Sequence, residues 1–245
     1  MLGRPLWNLP DPRRADDGVD LVGIGGDLDP ATLIAGYRRG IFAMHVDAAD
    51  LGAPEMGQVV GWWSPDPRGV LTPEDVHVSK SLRRHMGRFG VSVDRDFGAV
   101  VAGCADPNRP HGWITPEYVA AYEAMHAAGY AHSIEVWDVE GVLAGGLLCV
   151  EAGGLVAGES KFHRQTDASK VAVVALAGLL AATGPGRLID TQWGTHHLAT
   201  LGVREVPRKA YLAQLTTLSH MRPALETVGS EVRPARTLWA RNQAG

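Results

Sequence analysis

The run Ala131-His132-Ser133-Ile134-Glu135-Val136-Trp137, followed after a Glu140-Gly141 turn by Val142-Leu143-Ala144-Gly145-Gly146-Leu147-Leu148-Cys149-Val150, decides the fold class. Apolar residues recur in both halves at the two-residue period of a β-strand, and the turn joins them as a hairpin. Further strands are expected at Val91-Ser92-Val93, Leu155-Val156-Ala157 and Leu188-Ile189-Asp190. Helical signals bracket this centre. Before it, Ser79 to Arg88 reads as a short helix, Asp96 caps a helix towards Cys104, and Thr115-Pro116-Glu117 opens one that ends at Gly129. After it, Asp167 caps an apolar helix, Thr195 to Leu201 is closed by Gly202, and Pro207 starts a final long helix. Strands with helices on either side in sequence predict a mixed α/β or α+β sheet domain. The order is compatible with an N-acetyltransferase-like fold, which periodicity alone does not single out.

The first 61 residues read as a small separate domain. Asp29-Pro30 supplies a cap and a first-turn proline, Leu33, Ile34 and Tyr37 share one helix face, and Gly40 ends the helix. Residues 47–58, rich in Ala, Gly, Asp and Pro, are expected to link it to the larger domain, residues 62–221. From Arg222 to Gly245 a mixture of Arg, Pro, Ser and Gly suggests a loosely ordered tail.

Composition narrows the function. The 245 residues are 45% hydrophobic and 20% charged, an ordinary globular balance, and the net charge of −4 excludes polyanion binding by bulk charge. Any nucleic-acid contact must come from a local basic patch. Two cysteines without metal-ligand spacing fit a reducing cytoplasm. Early prolines and charges give no reason to expect a secretory leader, and the apolar run 171–186 is too short to span a bilayer.

Three groups of residues carry chemistry. In Gly61-Trp62-Trp63-Ser64-Pro65-Asp66-Pro67-Arg68 two indoles precede a stiff Pro-x-Pro and an arginine able to fork onto phosphate or carboxylate. Core packing and ligand stacking are both open for each tryptophan. Lys80, Arg83 and Arg84 share a helix face with Arg88 one turn on, and no acidic residue occurs from Val76 to Val93, so the charge is uncancelled locally. Contact with phosphate groups is the preferred reading, against an ordinary solvated face. Asp190 and Gln192, two apart on a strand, emerge on one face.

The chain resembles the leucyl/phenylalanyl-tRNA–protein transferases. The matching segments run collinearly through Gly23 to Leu28, Arg39-Gly40-Ile41-Phe42, Trp62 to Leu71, His77 to Leu82, Gly112-Trp113-Ile114-Thr115, Ala131 to Trp137, Gly158-Glu159-Ser160, Ala168-Ser169-Lys170, Leu188 to Gln192 and His197 to Gly202. The resemblance implies a small N-terminal domain joined to an acetyltransferase-like domain, a cytoplasmic monomer, and no metal or organic cofactor. The implied reaction is attack of a protein's N-terminal α-amine, on acceptors beginning with Arg or Lys, on the ester of an aminoacyl-tRNA that carries leucine, phenylalanine or methionine. Asp190 would hold or deprotonate the amine, Gln192 would orient the reacting groups, and Glu159 would pair with the acceptor's basic residue. Trp63 and Trp113, or Trp62 in place of Trp63, would pack around the terminal adenosine of the tRNA. The aminoacyl pocket would fall on Leu147, Val156, Lys161, Val173, Leu176, Leu180 and Ile189.

Several positions depart from the family pattern. Ala43-Met44-His45 stands where Pro-Trp-Phe is usual, Lys161 replaces a methionine, and pocket positions carry smaller aliphatics. An unpaired buried ammonium is costly, so Lys161 must snorkel outward, pair with an acid such as Glu159, or meet a polar or acidic donor side chain. A non-catalytic tRNA-binding homologue is a second reading. An acetyl-CoA-dependent acetyltransferase is a third, disfavoured because the chain has no [Gln/Arg]-x-x-Gly-x-[Gly/Ala] pyrophosphate loop.

Overall fold

The computed structural model describes residues 2–109 and 112–240. Near the N-terminus lie β1 (Leu21–Ile24), α1 (Pro30–Arg39), β2 (Phe42–Asp47) and β3 (Gln58–Trp63), with the strands antiparallel in the order β1-β3-β2. α1 begins where Asp29 accepts from the Ala31 N–H at 2.8 Å and stops at Gly40, φ +82°. A Cβ at Gly40 would overlap the Leu212 side chain, so this close approach also demands glycine. The division expected after residue 61 falls inside β3, which continues through Trp62 and Trp63 as the central strand. Residues 47–58 connect β2 to β3 within this sheet rather than linking domains, because each end is a paired strand.

The remaining elements are β4 (Arg68–Leu71), α2 (Lys80–Met86), β5 (Gly90–Val93), α3 (Phe97–Cys104), α4 (Pro116–Ala127), β6 (Ala131–Trp137), β7 (Leu143–Ala152), β8 (Leu155–His163), α5 (Ala168–Ala181), β9 (Leu188–Gln192), α6 (His196–Ala199), β10 (Arg204–Val206), α7 (Arg208–Ser219), β11 (Arg233–Pro234) and α8 (Ala235–Ala240). Eight strands form one sheet in the order β10-β4-β9-β8-β7-β6-β5-β11, antiparallel throughout except for the parallel pair β8–β9. The fold is mixed α+β.

α2, α5 and α8 pack on one face of the sheet. α5 is apolar on nearly every side, as a helix covered by both a sheet and other helices must be. α3 and α4 pack on the other face, where Leu33, Ile34, Tyr37, Phe42 and Trp62 bring in the N-terminal unit. That unit has its own sheet and shares its core with the larger one. The guanidinium of Arg208, 4% exposed, fastens the junction by donating to the carbonyls of Ser64 at 2.9 Å and Val19 at 2.5 Å.

The segment after residue 221 is packed, contrary to the loose tail expected. Buried Glu151 accepts from the N–H groups of Ala224 and Leu225 at 2.6 and 3.0 Å, and β11 extends the sheet edge at β5. Ala235 and Leu238 are buried, and the Leu238 carbonyl lies so close to α5 that a Cβ at Gly178 would overlap it. Anchors this far apart in sequence leave no local periodicity. Residues 241–245 of the expected tail lie outside the described residues.

Candidate active site

The parallel strands β8 and β9 pair only from Leu155 and Leu188 to Ala157 and Asp190, although β8 continues to His163. Both are irregular where they part. On β8 the register with β7 passes from Gly158–Cys149 to Ser160–Leu148, which leaves Glu159 as the extra residue of a bulge. On β9 the register with β4 passes from Asp190–Val70 to Gln192–Gly69, which leaves Thr191 extra, and Gln192 has φ +59°. Such a conformation in a non-glycine residue costs on the order of 1–3 kcal/mol and is held by its surroundings. Gly69 admits the bent end of β9: a Cβ there would meet Thr191, Trp193 and Gly194 at 2.7–2.8 Å. The opening between the strands carries Glu159 on one lip and Gln192 on the other, with Gln192 Nε2 donating to Glu159 Oε1 at 3.1 Å.

Asp190 lies beneath this opening with no exposed surface. Its Oδ1 accepts from Arg68 Nε at 2.8 Å and from the Gln192 N–H at 2.9 Å, while Oδ2 accepts from Arg68 Nη2 at 2.6 Å and Tyr211 Oη at 2.8 Å. Four donors fill the acceptor sites of both oxygens. Arg68 thus forks onto a carboxylate, the second of the two uses its motif left open. Burial works against its charge and Asp190 more than offsets this, so the guanidinium is held above its ordinary pKa.

Glu159 differs. It is half-buried, and Tyr122 Oη donates to its Oε2 at 2.9 Å. Burial raises its carboxyl pKa from 4.5 to about 7, while hydrogen bonds from Tyr122 and Tyr37 hold it back from rising further. A carboxylate poised near neutrality at the mouth of a cavity is suited to exchange protons. The cavity, about 140 Å³, has apolar walls from Leu147, Val173, Ile189 and Leu198, with Glu159 and Gln192 lining it together. A cavity of about 900 Å³ lies against Pro12, Asp66 and α7 and contains none of these groups. Among the described residues, no three His, Cys, Asp or Glu side chains are placed to hold a metal ion.

Comparison with known proteins decides the family. A family model described as leucyl/phenylalanyl-tRNA protein transferase matches residues 70–216, and the model for the N-terminal domain of the same proteins matches residues 26–66. The chain belongs to the leucyl/phenylalanyl-tRNA–protein transferase family. Relatives bearing that name include one from Aromatoleum aromaticum, 43% identical over 227 residues and 91% of each chain. Another, from Oleidesulfovibrio alaskensis, is 45% identical over 216 residues, 84% of this chain and 83% of that one. A third, from Aeromonas hydrophila, is 42% identical over 216 residues, 86% of this chain and 87% of that one. The solved structure of L-PGS from Bacillus licheniformis aligns at a TM-score of 0.35 with 9% identity over 55% of this chain and 50% of that one, too slight a likeness to define a shared fold.

The transferase-family residues expected at the site divide. Leu147, Lys161, Val173 and Ile189 line the small cavity with Glu159 and Gln192. Val156, Leu176 and Leu180 are fully buried in the core and do not line it. Asp190 has no exposed surface and its carboxylate faces Arg68 and Tyr211, which leaves no open approach for an amine among the described residues. Trp62 is core, 1% exposed, its Nε1 donating to the Gly25 carbonyl at 2.8 Å and its ring filling the space above Gly36. Trp63 is half-buried, bonded to the Met44 carbonyl at 3.0 Å and edge-on to Trp193 at 6.0 Å. Trp113 packs instead against Tyr118 and Tyr122, with ring centroids at 5.2 and 6.4 Å, and among the described residues no ring contact joins it to Trp63. Next to it, Tyr118 Oη and His45 Nδ1 are buried without a hydrogen-bond partner among the described residues, their rings 4.9 Å apart. Lys161 makes no ion pair with Glu159 or with any other described residue. Lys80, Arg83, Arg84 and Arg88 are exposed, and Arg83 lies over the Trp239 ring at 4.2 Å.

Sequence reading passed over Tyr37, Tyr122 and Tyr211. Each sits on an apolar helix face, where a tyrosine reads as core, and only the tertiary fold brings its hydroxyl to a carboxylate.

Proposed function

We propose that this chain transfers leucine or phenylalanine from a charged tRNA to the N-terminal α-amine of an acceptor protein, with Glu159 as the proton acceptor. The observation that carries this reading is a carboxylate with a pKa near 7 at the mouth of an apolar cavity in the opening between β8 and β9. The donor ester is already activated, so the protein has to position the reactants and move protons. The aminoacyl side chain enters the cavity, where burying a leucine contributes about 1.5–3 kcal/mol. The acceptor amine then attacks the ester carbonyl, the C–N bond forms, the C–O bond to the ribose breaks, and the amine's proton passes through Glu159 to the departing ribose oxygen. An α-ammonium group titrates at about 7.7–8.0, close enough to Glu159 that proton transfer between them is nearly thermoneutral. Gln192 orients Glu159 through its amide. Asp190 is a positioning residue: with Arg68 it fixes the strained Gln192 backbone.

The terminal nucleoside is assigned to Trp113, where a bound base would also give Tyr118 Oη and His45 Nδ1 the partners they lack. The exposed basic face of α2 would contact the acceptor stem. Acceptors beginning with Arg or Lys, a cytoplasmic monomer and an acetyltransferase-like larger domain extend this reading on the strength of the sequence resemblance. No helix among the described residues is long and apolar enough to cross a membrane.

The test offers the protein tRNAs charged with Leu, Phe, Met, Asp and Glu together with an Arg-initiated peptide. Transfer of Leu and Phe is expected, with Glu159→Gln slower by about 10²–10⁴. Tight binding of charged tRNA without transfer to any acceptor would establish the non-catalytic reading instead.

A further inference from the structure

Beside the aminoacyl cavity is a cleft of about 490 Å³ that the reaction above leaves unused. Its lining includes Arg109 from the loop after α3, Lys161 and His163 from the end of β8, Arg164 just beyond, and His197 from α6. Lys161 borders both cavities, so the cleft adjoins the aminoacyl site directly. Among the described residues Asp106 is the single carboxylate on the lining, and it forms no ion pair with Arg109, Lys161 or Arg164.

Backbone carbonyls hold the two arginines in place. Arg109 donates to the carbonyls of Cys104 at 2.5 Å and Lys161 at 2.7 Å, and Arg164 to the carbonyl of Leu143 at 3.3 Å. The cationic side chains also act on one another. Burial and then Arg109 lower the pKa of Lys161, and burial followed by Lys161, Lys170 and His163 lowers that of His197. Arg109, Lys161 and Arg164 gathered in one half-open cleft, with His197 held towards its neutral form, favour an anionic ligand.

The surroundings indicate which anion. Ser169, in the first turn of α5, lines the cleft, and Asp167 just before that helix lies 2.6 Å from His85 of α2, whose exposed face carries Lys80, Arg83 and Arg84. The basic face of α2, the start of α5, the cleft and the aminoacyl cavity are therefore successive neighbours. An acceptor that begins with Arg or Lys is cationic and would be repelled from this path.

We propose that the cleft holds the phosphodiester backbone of the donor's single-stranded 3′ end, with Arg109 and Lys161 as its innermost contacts. This rests on the transferase reading above. It also gives Lys161 a role that leaves the donor pocket apolar, although a lysine occupies the place of the family's usual methionine.

The test compares two donors: phenylalanyl-adenosine, which has no phosphodiester, and the phenylalanyl ester of the trinucleotide CCA, which has two. For the wild type, the KM for the trinucleotide is expected to be at least about tenfold lower, and its dependence on salt steeper. In Arg109→Ala and in Lys161→Met the KM ratio between donors should fall below about threefold, with the salt slope reduced by about 0.7 for each phosphate deprived of its cation. Arg109→Lys, which keeps the charge, should retain most of the ratio. Equal KM values for both donors in the wild type, or a ratio unchanged in both variants, would overturn the proposal. So would a Lys161→Met protein whose KM ratio is intact while its preference moves between acidic and apolar amino acids, because Lys161 would then read the side chain. Binding of uncharged CCA and of adenosine is measured in parallel. A wild type that transfers from neither donor, yet binds CCA more tightly through Arg109, refutes the transferase reading and keeps the cleft. Binding that ignores Arg109 refutes the cleft.

Discussion

Glu159→Gln should stabilise the protein while removing its activity, and the pH dependence of the stabilisation is what identifies its cause. Burial moves the Glu159 pKa from 4.5 to about 7, so the fold favours the neutral carboxyl. The stability contributed by neutral Glu159 is fully present below about pH 4.5 and is lost as pH rises through about 7. At 1.36 kcal/mol per pKa unit the ceiling on that loss is about 3 kcal/mol. Glu159 keeps some contact with solvent, which reduces the effect to about 1–3 kcal/mol at pH 8. A glutamine can accept from Gln192 through its one amide oxygen and donate through its amide nitrogen to the Tyr122 oxygen, without the buried charge. Urea unfolding of wild type and variant at pH 5 and pH 8 should show near-equal stabilities at the lower pH and a more stable variant at the higher. The kcat/KM of the wild type should rise with pH through an apparent pKa near 7, and that limb should vanish in the variant. A stability difference of the same size at both pH values would refute the argument, since it would trace to packing rather than ionisation. So would a wild-type pH profile flat between 5.5 and 8.5.

Asp190→Asn strands buried Arg68 without its counter-ion and is expected to destabilise the protein by about 3–5 kcal/mol in urea unfolding; a normally stable variant would contradict the structural role assigned to the pair. Gln192→Gly relieves the left-handed backbone and should leave stability unchanged or raised by about 1 kcal/mol while lowering kcat/KM, which separates the strain from its use. Arg84→Ala and Arg88→Ala should each weaken charged-tRNA binding and reduce the slope of log affinity against log salt by about 1, read by titration at several salt concentrations. Leu238→Ala removes an anchor of α8 from the core on α5 and should cost about 2–4 kcal/mol, whereas a loosely ordered tail would show no effect.

What the sequence disclosed follows the range of the interactions involved. α1 was readable from its ends because Asp29, Pro30 and Gly40 act within a turn of the helix they bound. β6 came out at its full length because its alternation is local, although its polar members Ser133 and Glu135 are buried and bonded to each other and to Ser92. β8 was expected only around Leu155–Ala157, since Gly158, the bulge at Glu159 and polar Ser160 and Lys161 break the strand period where the site forms. β4 and β10 were not anticipated at all, being short and paired with distant partners. Family motifs point to Glu159, Asp190 and Gln192 but do not show which partners each carboxylate has. That depends on Arg68 standing 122 residues from Asp190 in sequence and 2.6 Å from it in space.

The division of labour between the two carboxylates follows from where the strands part. Up to Ala157 and Asp190, β8 and β9 are paired, and a side chain at that level is enclosed by neighbouring strands and by α7. A carboxylate there needs partners equally removed from water, and Arg68 and Tyr211 supply them. Two residues further along, the strands have separated, so Glu159 is partly buried on the side where Tyr122 donates to it and open to the cavity on the other. No cation neutralises it within ion-pair distance among the described residues, and its pKa rises. Under the proposed reaction, the same opening would supply both conditions a proton acceptor needs, a basic carboxylate and access for the amine. Closing it by restoring regular pairing past Asp190 would remove both together. A deletion of Thr191, which takes out the β9 bulge, is expected to abolish transfer even in protein that remains folded by circular dichroism, with the neutral-pH titration of Glu159 lost. Retained activity in that deletion would mean that the bulges are incidental to catalysis.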